Sequence, residues 1–248
     1  MLVKSQVKYI QSLGHKKFRD ADGVFVAEGP KIVSELIHSN NLRLVQCFAT
    51  GDWLLSHEDM QKGREKLFIR TNEKELERIS FHSAPNQVLA IFTKPVFNKI
   101  KTSEGLTLLL DNIQNPGNFG TILRTADWFG IRRLVCSQNT VDVFNPKVVQ
   151  SAMGSLVRVE ILYMDLEDYI RLNPGIPLYA SSLEGEDLRD KLVLSSAMLL
   201  VGNESEGVSP SLESLAIKKI RIPGKGAAES LNVAVATGIL LSRIEWIN

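Results

Sequence analysis

The chain has 248 residues, of which 44% are hydrophobic and 23% charged, with 9 Pro, 17 Gly and a formal net charge of +1. This composition excludes disordered, collagen-like and low-complexity classes, and the length suits one large domain or two of about 100–200 residues. No apolar run approaches the roughly 18–20 residues that span a bilayer, and the opening Met1-Leu-Val-Lys-Ser lacks an apolar signal core, so a soluble, cytoplasmic protein is expected.

In chain order, the apolar spacing predicts a short helix over 4–13. Strand-like and helix-like segments then alternate: Val24–Glu28 and Lys31–His38, Arg43–Ala49 and Trp53–Gln61, Leu67–Arg70 and Glu73–Ile79, and finally Val88–Thr93. These define a small α/β domain over 1–95. The polar, Pro-containing stretch 96–105 reads as a linker. A second, larger α/β domain is expected over 106–248, with strands at Leu106–Leu110, Arg133–Cys136, Val157–Leu162, Leu178–Ser181, Met198–Gly202 and Lys219–Ile222. Its helices fall near 118–129, 146–152, 165–171, 210–215 and 231–246. Strands alternating with helices imply a parallel sheet. The last helix is apolar around most of its circumference and needs cover on several sides, from its own sheet or a partner subunit.

Charge divides unevenly: residues 1–100 hold 15 Lys+Arg against 11 Asp+Glu, and residues 101–248 hold 14 against 17. Lys4, Lys8, His15, Lys16, Lys17 and Arg19 all precede the first acidic residue, Asp20. They form either a positive field for phosphates or an ordinary solvated helix face. The 2 cysteines, Cys47 and Cys136, supply neither a disulfide framework nor a metal site and read as buried small hydrophobes. All four histidines, His15, His38, His57 and His82, precede the linker, so the second domain has no His-based triad, and no His pair has metal-ligand spacing. A mechanism without metal or histidine is expected.

Ligands of open parallel sheets bind beyond the carboxyl ends of the strands. Three polar, glycine-bearing segments fall at such ends: Asp111-Asn-Ile-Gln-Asn-Pro-Gly-Asn118-Phe-Gly120-Thr-Ile-Leu-Arg124, Leu200-Val-Gly202-Asn-Glu204-Ser-Glu206-Gly207-Val-Ser209, and Ile222-Pro-Gly224-Lys-Gly226-Ala-Ala-Glu-Ser230-Leu231-Asn232. None is a nucleotide loop. Val208 stands where a phosphate loop needs lysine, and the Gly224-Lys-Gly226 start lacks the third glycine of a dinucleotide fingerprint. Taken singly, each segment also has a structural reading, with glycines for tight turns, asparagines for helix capping and Ser230 as a helix N-cap.

Together, the three segments resemble the three motifs of the SpoU (TrmH-like) family of RNA ribose 2′-O-methyltransferases, in the SPOUT superfamily. The likeness covers about 140 residues. A weaker one links Phe25-Val-Ala-Glu28-Gly29-Pro to the family's auxiliary RNA-binding α/β domain. The resemblance implies a C-terminal parallel-sheet SPOUT domain with a deep trefoil knot, a homodimer, structured ribosomal or transfer RNA as substrate, and S-adenosylmethionine as cofactor. By position, Leu200, Val201, Gly202, Ile222, Pro223, Gly224 and Leu231 would line the cofactor. Arg124, Asn118, Glu204, Ser230 and Asn232 would surround the reaction centre, with Glu204 either holding Arg124 or accepting from substrate. Arg124 matches the family residue proposed as base, but a guanidinium stays protonated, so gripping a phosphate is its safer role. Lys16, Lys17, Arg19 and Lys225 would then contact RNA phosphates. The alternatives are a catalytically silent RNA-binding protein that keeps the fold and an enzyme of small nucleotides.

Overall fold

The structure, a computed structural model, describes residues 2–97, 105–189 and 192–246. In chain order the first part comprises α1 (Lys4–Ser12), α2 (Lys16–Asp22), β1 (Val24–Glu28), α3 (Pro30–Ile37), β2 (Leu44–Thr50), α4 (Gly51–Ser56), β3 (Phe68–Thr71), α5 (Glu73–Glu77) and β4 (Val88–Thr93). There follow β5 (Gly105–Leu110), α6 (Pro116–Trp128), β6 (Arg133–Cys136), α7 (Pro146–Ala152), β7 (Glu160–Tyr163), α8 (Leu166–Leu172) and β8 (Leu178–Asp187). The chain closes with β9 (Leu192–Leu194), β10 (Ser196–Val201), α9 (Pro210–Glu213), β11 (Lys218–Arg221), α10 (Val233–Ser242) and β12 (Ile244–Trp246). Most of the linker expected at 96–105 lies outside the described residues. Among the described residues, no helix is long and apolar enough to cross a membrane.

The chain divides into two units, Met1–Asn98 with Asp142–Val157, and Lys99–Val141 with Arg158–Asn248. In the first, the sheet order is β1-β4-β2-β3, with β4 antiparallel to both neighbours and β2 parallel to β3. Every residue of β1 is buried, and Ile10 and Leu13 pack on Val26, Phe48 and Leu89 to close one face. The helix expected over Trp53–Gln61 is α4 followed by a 3-10 turn, because the Thr50 hydroxyl accepts from the Trp53 amide and starts the helix early. The segment 142–157, assigned from sequence to the second domain, packs in this unit. The Phe144 ring meets Phe25 at 5.2 Å, and the Asn41 amide donates to the Val157 carbonyl at 2.6 Å. Its apolar residues would suit either core, which is why periodicity alone cannot assign it.

The helix α2 was hidden by its charge, and it corrects one assignment. Arg19 cannot serve RNA phosphates: its side chain is 2% exposed, donates to the Leu13 carbonyl at 2.7 Å and pairs with Asp142 at 2.5 Å. A buried guanidinium is tolerated when a carboxylate and a carbonyl take its protons. Lys16 and Lys17 on the same helix remain exposed.

The second unit is built on a six-stranded sheet, order β11-β8-β10-β5-β6-β7, with every pairing parallel. Its central strands, β5 and β10, are buried nearly throughout, as uninterrupted apolar runs covered on both faces should be. The helix expected over 231–246 is shorter than its apolar pattern. Ile244-Glu-Trp246 instead pairs in parallel with β9, where β-branched and aromatic residues suit a strand. The helix that remains, α10, packs against α6.

Removing one partner of a buried ion pair leaves the other uncompensated, typically at about 3–5 kcal/mol. Arg19→Ala is accordingly expected to lower the free energy of unfolding, measured by urea titration, by an amount in that range.

Candidate active site

Strands β5 and β10 are parallel neighbours whose last residues, Leu110 and Val201, stand in register. The chain therefore leaves the sheet at Asp111 and Gly202 side by side. The Asp111 amide donates to the Val201 carbonyl at 2.9 Å, and its carboxylate accepts from the Ser209 amide at 2.9 Å, which binds the two exits together. Gly202 has no substitute here: a Cβ would fall on the Gly207 carbonyl and the Val208 nitrogen. Asn203 and Gly207 exchange backbone hydrogen bonds at 2.9 Å, folding 202–207 into a tight loop. The Asn203 side chain donates to the Asn112 carbonyl at 2.9 Å and accepts from the Ser205 amide at 2.8 Å.

Helix α6 begins with Asn115 as N-cap, its oxygen accepting from Gly117 and Asn118, and with Pro116 preset for the first turn. Asn118 thus sits in the first turn, facing the second loop. At the start of α10, the Asn232 oxygen accepts from the amides of Ala234 at 3.0 Å and Val235 at 3.3 Å. Asn232, not Ser230, is the cap: Ser230 is exposed and makes no hydrogen bond with a described residue.

That cap dictates the polarity of a chain of hydrogen bonds. Because the Asn232 oxygen is committed to backbone donors, its amide nitrogen faces Asn118 and donates to the Asn118 oxygen at 2.9 Å. The Asn118 nitrogen must then point the other way, where it donates to the Glu204 carboxylate. One residue from each of the three segments is joined in this chain. Glu204 accepts from Asn118 in this structure and makes no ion pair with Arg124, the partner the sequence offered it as one of two alternatives. Arg124 stands exposed on α6 and forms no hydrogen bond or ion pair with a described residue.

An open pocket of about 490 Å³ lies between the loops, lined in part by Asn118, Asn203 and Glu204. Leu200, Val201 and Gly202 are buried at the end of β10, whereas Ile222 is half-buried and Pro223, Gly224, Lys225 and Leu231 are exposed. Among the described residues, no backbone group from 222 to 231 makes a hydrogen bond. Burial pushes the Cys47 thiol up to about 12 and the Cys136 thiol higher still, so neither is a nucleophile. Asn112 and Asn203, which brace the site, fall in the polar segments without being singled out by sequence, whereas the asparagine helix cap expected of these segments is what Asn115 provides. The Asn-Pro pair at 115–116 was the one signal for a cap.

Residues 105–242 match the SpoU rRNA Methylase family and residues 4–90 match the MRM3-like substrate binding domain. The chain belongs to the SpoU rRNA methylase family. It is similar to the 23S rRNA guanosine-2′-O-methyltransferase RlmP of Bacillus subtilis, at 31% identity over 95% of this chain and 94% of that one. A TrmH-family protein from Porphyromonas gingivalis superposes with a TM-score of 0.84 at 38% identity, covering 98% of both chains. The AdoMet-bound rRNA methyltransferase from Sinorhizobium meliloti does so with a TM-score of 0.84 at 31% identity, covering 98% of this chain and 95% of that one. The protein is an S-adenosylmethionine-dependent RNA ribose 2′-O-methyltransferase.

The residues present fit that cofactor. A run of unpaired backbone donors and acceptors from 222 to 231, flanked by apolar Ile222 and Leu231, suits the polar edge and flat face of an adenine ring. When bound, the donor supplies a methyl group on a sulfonium.

Asn232→Asp separates the two duties of that side chain. Aspartate still caps α10, so thermal stability is expected to stay within about 1 kcal/mol of wild type. Without the amide nitrogen the chain to Glu204 is broken, and kcat/KM for methyl transfer is expected to fall by about three- to tenfold, the worth of one hydrogen bond.

Proposed function

We propose that this methyltransferase acts on ribosomal RNA, as a cytoplasmic homodimer, and that the hydrogen-bonded chain Asn232–Asn118–Glu204 orients the target ribose. That chain is the observation that carries the reading: it fixes one carboxylate beside a nucleoside-sized pocket. In favour of ribosomal RNA, the Bacillus subtilis and Sinorhizobium meliloti relatives named for it match nearly the whole chain, including the N-terminal unit.

A ribose 2′-hydroxyl is a weak nucleophile. It must be held about 3 Å from the methyl carbon and must lose its proton. Only one oxygen of Glu204 is occupied by Asn118, which leaves the other to accept a hydrogen bond from the hydroxyl. Arg124, exposed on α6 without a partner among the described residues, grips the adjoining phosphate with its planar fork. Its part in removing the proton rests on family resemblance. Ser230 and Lys225, on the exposed segment before α10, close over the substrate from the other side, and Lys16 and Lys17 add phosphate contacts. A dimer is supported by the outer faces of the packed helices α6 and α10, where Trp128 is 86% and Val235 53% exposed. The trefoil knot belongs to this proposal too. Its support is the chain's return from edge strand β11 to α6 through α10.

Labelled S-adenosylmethionine incubated with ribosomal RNA is expected to leave label in 2′-O-methyl nucleosides. RNA binding without transfer would instead indicate a silent scaffold. Arg124→Lys keeps the charge but loses the fork, and is expected to reduce transfer at least about tenfold. Neutralising Lys16 and Lys17 together is expected to reduce the salt-dependence slope of RNA binding by about 1.5, at roughly 0.7–0.9 per phosphate contact.

A further inference from the structure

The pocket beside Asn118 and Glu204 is lined by amides, a hydroxyl and two carboxylates, with no Lys or Arg. A phosphate would be repelled there, whereas a neutral group rich in hydrogen bonds would be held. At about 490 Å³ the pocket admits a nucleobase and its ribose. Subtracting the hydrogen bonds already made shows what such a base would meet. Both ends of the Asn118 amide are committed, and the Asn115 oxygen is spent on the α6 cap. The Gln114 nitrogen donates to the Asn112 oxygen at 3.0 Å. The Glu206 side chain makes no hydrogen bond or ion pair with a described residue. What remains is a two-oxygen acceptor at Glu206, the second oxygen of Glu204 that the ribose hydroxyl takes, the Ser205 hydroxyl, the oxygen of Gln114, and the amide nitrogens of Asn112 and Asn115 as donors.

We propose that this pocket seats the base of the target nucleoside and selects guanine, with Glu206 as the selecting residue. The inference rests on the ribose-methylation reading and deepens it. Guanine alone among the four bases presents two adjacent donors, N1–H and the N2 amino group, beside an acceptor, O6. A carboxylate takes both donors at once, while an amide nitrogen of Asn112 or Asn115 reaches O6. Uracil offers a single N–H between two carbonyls, and adenine and cytosine offer one amino group next to a bare ring nitrogen. Each would set a lone pair against the second oxygen of Glu206, an arrangement that costs affinity because two acceptors then face each other with no proton between them. A base lifted from its stack is read along this Watson–Crick edge in other enzymes that act on single nucleotides.

The test uses the full-length protein, tritiated S-adenosylmethionine and unmodified transcripts of the large and small ribosomal RNAs, digested to nucleosides after reaction. Label is expected in 2′-O-methylguanosine. Glu206→Gln, on an exposed loop, is expected to fold normally and to bind S-adenosylhomocysteine as wild type does. Its kcat/KM for RNA is expected to fall about 10–100-fold, the discrimination carried by one bidentate contact. Label in another 2′-O-methyl nucleoside, or a Glu206→Gln enzyme within twofold of wild type, overturns the guanine proposal while leaving ribose methylation standing. Label in no 2′-O-methyl nucleoside overturns both.

Discussion

The site depends on two parallel strands ending level. Because Leu110 and Val201 are partners at the ends of β5 and β10, the segments that follow leave the sheet about one strand spacing apart, near 4.8 Å. Two loops that close must share space, and they do so because Gly202 has no side chain to push the Gly207 carbonyl away. The apolar runs within the strands have a mechanical role here. Burial on both faces holds the strands rigid, and rigidity at their ends sets the positions of Asn118 and Glu204.

On that platform the polar groups are arranged by elimination more than by attraction. Helix α10 needs its first amides satisfied, so the Asn232 oxygen is taken. Each amide further along then has one remaining orientation, and the last donor arrives at Glu204. A helix cap, ordinarily worth about 1 kcal/mol of stability, thereby sets the hydrogen-bonding state of a carboxylate on a different loop. Arg124 lies outside this arrangement and makes no hydrogen bond or ion pair with a described residue, which is in keeping with the proposal that its partner is a phosphate of the substrate.

Much of this was legible in the sequence, with losses that have physical causes. The uninterrupted apolar run at 106–110 announced a buried parallel strand, and the three polar segments were located at the carboxyl ends of this strand and of those read at 198–202 and 219–222. What joins Asn118, Glu204 and Asn232 was not legible, since hydrogen bonds between residues 86 and 114 positions apart leave no periodic trace. Arg19 was misjudged because a basic run reads alike whether its members are solvated or paired, and Asp142, 123 residues away, decides the matter. Ser230 looked like a cap by residue type. Asn232 is the cap because the helix starts at Val233, which puts its side-chain oxygen, and not that of Ser230, within reach of the Ala234 and Val235 amides. The end of the chain misled for a simpler reason: apolar residues fit helix or strand, and pairing with β9 chose the strand.

A crystal structure of the protein with S-adenosylhomocysteine bound tests the central claim most directly. The account predicts the adenosine against the backbone of Ile222–Leu231 and the sulfur opening toward Asn118 and Glu204, with the hydrogen bonds to Asn232 intact. Cofactor bound elsewhere on the chain, or those three side chains parted in its presence, would contradict it.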